Sequence, residues 1–150
     1  MKPPLFLGRC IYFFGYPIFR ILIKNTYRAY VVVRYKDKIL VTKNWLGHQK
    51  KWRLPGGGVH KNERPALAAS RELLEEVGIR VTEKDLLQLT QTPHEARYGY
   101  LIDLFVVSIA SLPKINPDER EIIKATFMSK DELLKQECSE ELLLALSYLS

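Results

Sequence analysis

Residues 57–79 read GGVHKNERPALAASRELLEEVGI, a glycine-led loop running into a stretch with helical spacing and a closing glycine. Pro65 suits the first turn of a helix, where its nitrogen has no intrahelical partner to lose. Ala66, Leu67, Ala69, Leu73, Leu74 and Val77 then fall at helical spacing, and Gly78 offers the usual left-handed stop. The sequence predicts a helix over 65–77. On it, Glu72, Glu75 and Glu76 stand at i, i+3 and i+4, so three carboxylates project from one face within a turn. Like charges so close weaken an isolated helix. A divalent cation held between hard oxygen ligands would relieve them, and magnesium or manganese suits such a set. Taken alone, the triplet is better explained as a solvated acidic face with Arg71 and Arg80 nearby, since acidic runs on helices are common.

Toward the N-terminus, Trp52-Arg53-Leu54 reads as a short strand halted by Pro55, and Gly56, Gly57 and Gly58 read as a turn joining it to the helix. Residues 45–51 form a polar loop. Residues 30–34 (YVVVR) and 39–42 (ILVT), separated by the polar 35–38, read as a β-hairpin. Before residue 25 the chain is apolar and basic. Residues 4–23 are long enough to suggest a membrane span, but Arg9 and Arg20 leave only 10 uninterrupted apolar residues between them. We therefore expect residues 1–24 to be a helical arm packed on the domain or on a second subunit, with peripheral membrane contact through residues 1–23 as the alternative.

Toward the C-terminus, residues 79–81, 86–92, 100–109 and 122–128 read as strands, 111–119 as a loop with two prolines, and 130–137 and 140–149 as helices. Strands mixed with a few helices in irregular alternation indicate an α+β fold, an α/β/α sandwich around a mixed β-sheet, in a single domain. The 150 residues suffice for one self-supporting core. Cys10 and Cys138 match no metal-ligand spacing, and two reduced thiols with no cleavable leader predict a cytoplasmic protein. Charge is uneven: residues 1–53 carry 12 Lys or Arg against the single acid Asp37, and the remainder holds 11 basic against 16 acidic residues. A basic front half suits a polyanionic substrate or an anionic surface equally.

The string 57–79 also satisfies G-x5-E-x7-R-E-U-x-E-E-x-G-U, where U is a bulky aliphatic residue, at every fixed position. Gly57, Glu63, Arg71, Glu72, Glu75, Glu76 and Gly78 fill the invariant places, and Leu73 and Ile79 the aliphatic ones. This resembles the Nudix box, and the Trp52–Pro55 lead-in (WRLP) is similar to the family as well. The resemblance implies a Nudix domain over 25–150 and hydrolysis of a diphosphate bond in a nucleoside diphosphate linked to X. It implies Mg²⁺ as cofactor, with Mn²⁺ as substitute, held by Glu72, Glu75, Glu76, the backbone carbonyl of Gly56 and a shell supported by Glu63.

In the same terms, Arg71 orients a glutamate, and Glu121 or Glu119, ahead of the last strand, supplies the general base; Glu121 is preferred. Arg53, His60 and Arg97 are candidate substrate contacts, as are His94, Tyr98 and the 48–51 loop. A surface or packing role is the default for each. The expected partner is a small nucleotide-type diphosphate, with a homodimer open and no stable nucleic-acid complex. Two alternatives remain: a binding module without turnover, and a membrane-associated hydrolase of lipid or isoprenoid diphosphates.

Overall fold

The computed structural model describes residues 27–45, 50–92 and 101–149. The N-terminal arm, His48, His94, Arg97 and Tyr98 lie outside the described residues. Strands β1 (Arg28–Tyr35) and β2 (Lys38–Asn44) form the expected hairpin, closed by a two-residue turn in which Lys36 takes φ +54°. β1 is buried from Ala29 to Val33 because both its faces are covered, which is why its sequence is a continuous apolar run without alternation.

Four more strands complete the sheet: β3 (Gly56–Gly58), β4 (Leu87–Thr92), β5 (Ile102–Ser108) and β6 (Ile122–Ser129). Their order is β4-β5-β1-β2-β6, with β3 paired to β1. β5 runs parallel to β1 from Arg28 to Arg34, so β2 and β3 must share the other edge of β1. β2 pairs with β1 near the hairpin turn, then follows β6, and residues 52–58 fill the gap it leaves. This splaying places the glycines beside the start of β1.

One apolar layer lies under helix α1 (Pro65–Val77), where Ala68, Ala69, Leu73 and Val77 meet Ala29, Val31, Val33, Leu40 and Phe105. The other lies under helix α3 (Glu140–Tyr148), where Leu142, Ala145 and Leu146 meet Tyr30, Val32, Val41, Trp52 and Leu104. The architecture is the expected α/β/α sandwich. Helix α1 begins at Pro65 and closes on Gly78, at φ +73°, whose N–H donates to Leu74 O at 3.0 Å. Its apolar stripe is narrower than the sequence suggested: Leu67 and Leu74 are 46% and 39% exposed, and Glu76 is buried in their stead.

Other expectations need correction. The glycines form a strand and not a turn, and Trp52 and Arg53 make isolated bridges, to Cys138 and Thr42 respectively. Residues 79–81 are not a strand. Ile79 is buried under α1, and a 3-10 turn, Glu83–Asp85, follows, capped reciprocally by Thr82 and Asp85. The helix expected over 130–137 ends early, as α2 (Lys130–Leu133). Trp52 is the reason: its amide donates to Glu137 O and its carbonyl accepts from Ser139 N, both at 2.8 Å, which draws residues 137–139 out straight. Cys138 is a free, buried thiol whose pKa is raised by burial. Among the described residues no helix is long and apolar enough to cross a membrane.

Candidate active site

The absence of side chains on β3 lets α1 approach the sheet. A Cβ on Gly57 would lie 2.6 Å from the Glu72 carboxyl carbon, and one on Gly56, at φ +144°, 2.3 Å from Ala29 O. Glycine is required at Gly56 by backbone contact and by conformation, whereas a side chain at Gly57 would have to push the Glu72 carboxylate aside. The Gly56 amide donates to Glu76 Oε2 at 2.9 Å. Glu76 is only 5% exposed. Burial pushes its pKa up to about 8, aided by the charges of Glu72 and Glu121 and opposed by the Gly56 amide and Arg53. A carboxylate in this position is one the protein alone does not fully compensate.

Arg71 gathers the remaining box residues. Its Nε donates to Glu63 Oε1 at 3.0 Å, and its Nη2 donates to Glu63 Oε2 at 3.1 Å and to Gly58 O at 3.0 Å. Nη1 donates to Glu72 Oε1 at 2.7 Å and to Glu75 Oε2 at 3.2 Å. The bonds to Glu63, then Glu72, hold the guanidinium pKa well above its ordinary value. Glu63 is correspondingly lowered, first by its Arg71 bond. Glu63 also accepts from the His60 amide at 2.9 Å, which ties the loop into a turn where Asn62 sits at φ +66°.

The loop ahead of β6 is zipped to the end of α1 by backbone bonds, Asn116 N to Val77 O and Asp118 N to Glu76 O, both 2.9 Å. This brings Glu121 to the glutamates. Its carboxyl pKa is raised by partial burial first, then by the charges of Asp118 and Glu72, although the residue as a whole is exposed. Trp45 fastens the same loop, its amide to Glu121 O at 2.9 Å and its indole to Glu119 O at 3.1 Å.

Arg53 does reach this region: its charge acts on Glu76, and its Nε bonds to Glu141 Oε1 of α3 at 3.2 Å. His60 does not join it; its side chain is 70% exposed and its Nδ1 lies 3.7 Å from Glu63. Sequence reasoning missed Glu141, Asp118 and Trp45. Helical periodicity held a signal for Glu141, which stands four residues before the buried Ala145. Asp118, by its amide and its charge on Glu121, and Trp45, by its amide and indole, act through contacts that no local period marks.

Among the described residues, no three His, Cys, Asp or Glu side chains converge as a closed metal cage; Glu72 and Glu75 are turned to Arg71. The donor set still fits a hard divalent cation. Every candidate side-chain ligand is a carboxylate, and after burial the charges of Glu72 and Glu121 raise the proton affinity of Glu76, as those of Asp118, Glu72 and Glu75 raise that of Glu121.

A NUDIX domain model matches residues 24–145. Phosphatase NudJ of Shigella boydii is 27% identical over 104 residues, covering 69% of this chain and 68% of the relative. Among solved structures, the MutT Nudix hydrolase of Burkholderia pseudomallei superposes with TM-score 0.72 at 19% identity, over 84% of this chain and 98% of that one. A bifunctional NMN adenylyltransferase/ADP-ribose pyrophosphatase of Francisella tularensis, complexed with AMP and a manganese ion, gives TM-score 0.66 at 22% identity, over 91% and 46%. With the box glutamates and Arg71 gathered around α1 and the domain matched over most of the chain, this chain belongs to the Nudix family, the hydrolases that act on diphosphate bonds.

Proposed function

We propose that the protein hydrolyses the diphosphate of a nucleotide-type substrate, a nucleoside diphosphate linked to X, with Mg²⁺ as its metal and Mn²⁺ able to replace it. The observation that carries this reading is Glu76, a buried carboxylate bonded to the Gly56 amide and crowded by Glu72 and Glu121. Glu72, Glu75 and Glu76 would hold the cation, with the Gly56 carbonyl completing the set and Glu63 acting through Arg71. The metal would neutralise negative charge on the diphosphate oxygens.

Arg71 limits where Glu72 and Glu75 can swing, since one nitrogen bonds both. Glu121 accepts the proton of the attacking water while a new P–O bond forms and the bridging P–O bond breaks, releasing two phosphorylated products. Its raised proton affinity suits that task better than an ordinary carboxylate's. Arg53, held by Glu141 and near enough for its charge to act on Glu76, would meet the substrate's phosphates. The Francisella complex, holding AMP and manganese, supports a nucleotide and a divalent cation as the ligands sought here.

The test is formation of the two phosphorylated products, separated by ion-exchange chromatography, with Mg²⁺ across nucleotide sugars, ADP-ribose, dinucleoside polyphosphates, nucleoside triphosphates and isoprenoid diphosphates. Turnover of a nucleotide class, lost in Glu76→Gln, is the expected result. Turnover confined to isoprenoid diphosphates would move the substrate to the membrane, and turnover of none, with either metal, would leave a binding module.

A further inference from the structure

Lys43 on β2 and Lys124 on β6 are direct cross-strand partners, and both ammonium groups lie over the ring of Trp52, at 4.6 and 5.7 Å from its centroid. Like charges directly opposite one another destabilise an antiparallel pair. Neither lysine takes part in an ion pair among the described residues. The ring attracts each ammonium but leaves its charge in place.

Trp52 is 5% exposed, so it offers no open face to a stacked base. It is a floor for the two cations, pinned on both sides by its backbone bonds to Glu137 and Ser139. Its indole Nε1 is buried without an acceptor among the described residues. The sheet thus sets two positive charges, Lys43 half-buried and Lys124 exposed, over one rigid ring, an arrangement an anion between them would relieve.

The position of the pair says which anion. Thr42, beside Lys43, exchanges both backbone hydrogen bonds with Arg53 at 2.9 Å, and Arg53 is among the charges acting on Glu76. Lys124 follows Glu121 by three residues along the chain. Both lysines thus sit within three residues along the chain of a position tied to the carboxylates, Lys43 through Thr42 and Arg53 and Lys124 through Glu121.

We infer that Lys43 and Lys124 receive an anionic group of the substrate beyond the scissile diphosphate, so that X is phosphate or polyphosphate and not a neutral sugar. This rests on the hydrolase reading above, and two measurements separate its failure from the failure of that reading. The first is calorimetric binding of inorganic triphosphate to the full chain without divalent metal, for the wild type, Lys43→Gln, Lys124→Gln and Lys43→Arg. Lys114→Gln, which removes an exposed positive charge from the loop after β5, controls for net charge.

Affinity is expected to fall about tenfold for each glutamine, the scale of one charged hydrogen bond, and to be kept by Lys43→Arg. The second is the ratio of kcat/KM for a nucleoside triphosphate over a nucleotide sugar with Mg²⁺, expected to fall about tenfold in Lys43→Gln. Triphosphate affinity unchanged in both glutamine variants, or lowered equally by Lys114→Gln, would overturn the inference whatever the turnover. An unchanged ratio would overturn the assignment of X. Loss of triphosphate binding in a chain that turns over nothing would keep the anion site and reject only the hydrolase.

Discussion

The two helices that sandwich the sheet each bury one glutamate, and they treat it differently. On α3, Glu141 is 2% exposed and meets the guanidinium of Arg53 at 3.2 Å. On α1, Glu76 is 5% exposed and meets a backbone amide, with Glu72 and Glu121 as its charged company. A buried acid neutralised by its own chain belongs to the architecture. A buried acid surrounded by others must keep its proton or take a cation, so the same residue type is structural on one face and a ligand candidate on the other.

The largest test of this contrast is Glu76→Gln, expected to lower kcat by at least about a hundredfold with the fold intact in circular dichroism. Arg71→Gln should come next, about 10–100-fold in activity, because it frees Glu72 and Glu75 without removing a carboxylate. Glu141→Gln should act mainly on stability, costing about 1.5–3 kcal/mol in urea unfolding as a charged hydrogen bond is lost. The 25% exposure of Arg53 holds that below the cost of breaking a wholly buried pair. If Glu141→Gln lost activity and Glu76→Gln lost stability, the contrast would be reversed.

A smaller effect is in pH. The folded-state pKa of Glu76, about 8, lies above its ordinary 4.5, so between those values the folded chain holds a proton that the unfolded chain has released. With chelator present, the Glu76 contribution lowers stability as pH rises through that window, and Glu76→Gln should flatten the slope. Melting temperatures at pH 5 and pH 8 for both proteins check it; parallel slopes would show that Glu76 is not the group titrating.

What was legible in the sequence was local. Pro65, Gly78 and the spacing between them fixed α1 to the residue, and the 3.6-residue period alone put Glu72, Glu75 and Glu76 on one face. β3 escaped because three glycines carry no alternation; their strand is imposed by pairing with β1. The short α2 escaped because Trp52, distant in sequence, captures the backbone that a helix over 130–137 would have used. The Arg53–Glu141 pair spans 88 positions, a separation at which no period or cap speaks. The general base candidate was legible only through family resemblance, since the bonds that deliver Glu121 run through backbone atoms of residues 116–118.

The most direct measurement of the central claim is the melting temperature of chelator-treated protein at pH 8 as Mg²⁺ is returned, wild type against Glu76→Gln. The account predicts that Mg²⁺ raises the melting temperature of the wild type by several degrees and leaves that of Glu76→Gln almost unmoved. Equal shifts in the two proteins would place the cation elsewhere and contradict the reading of Glu76 as its ligand.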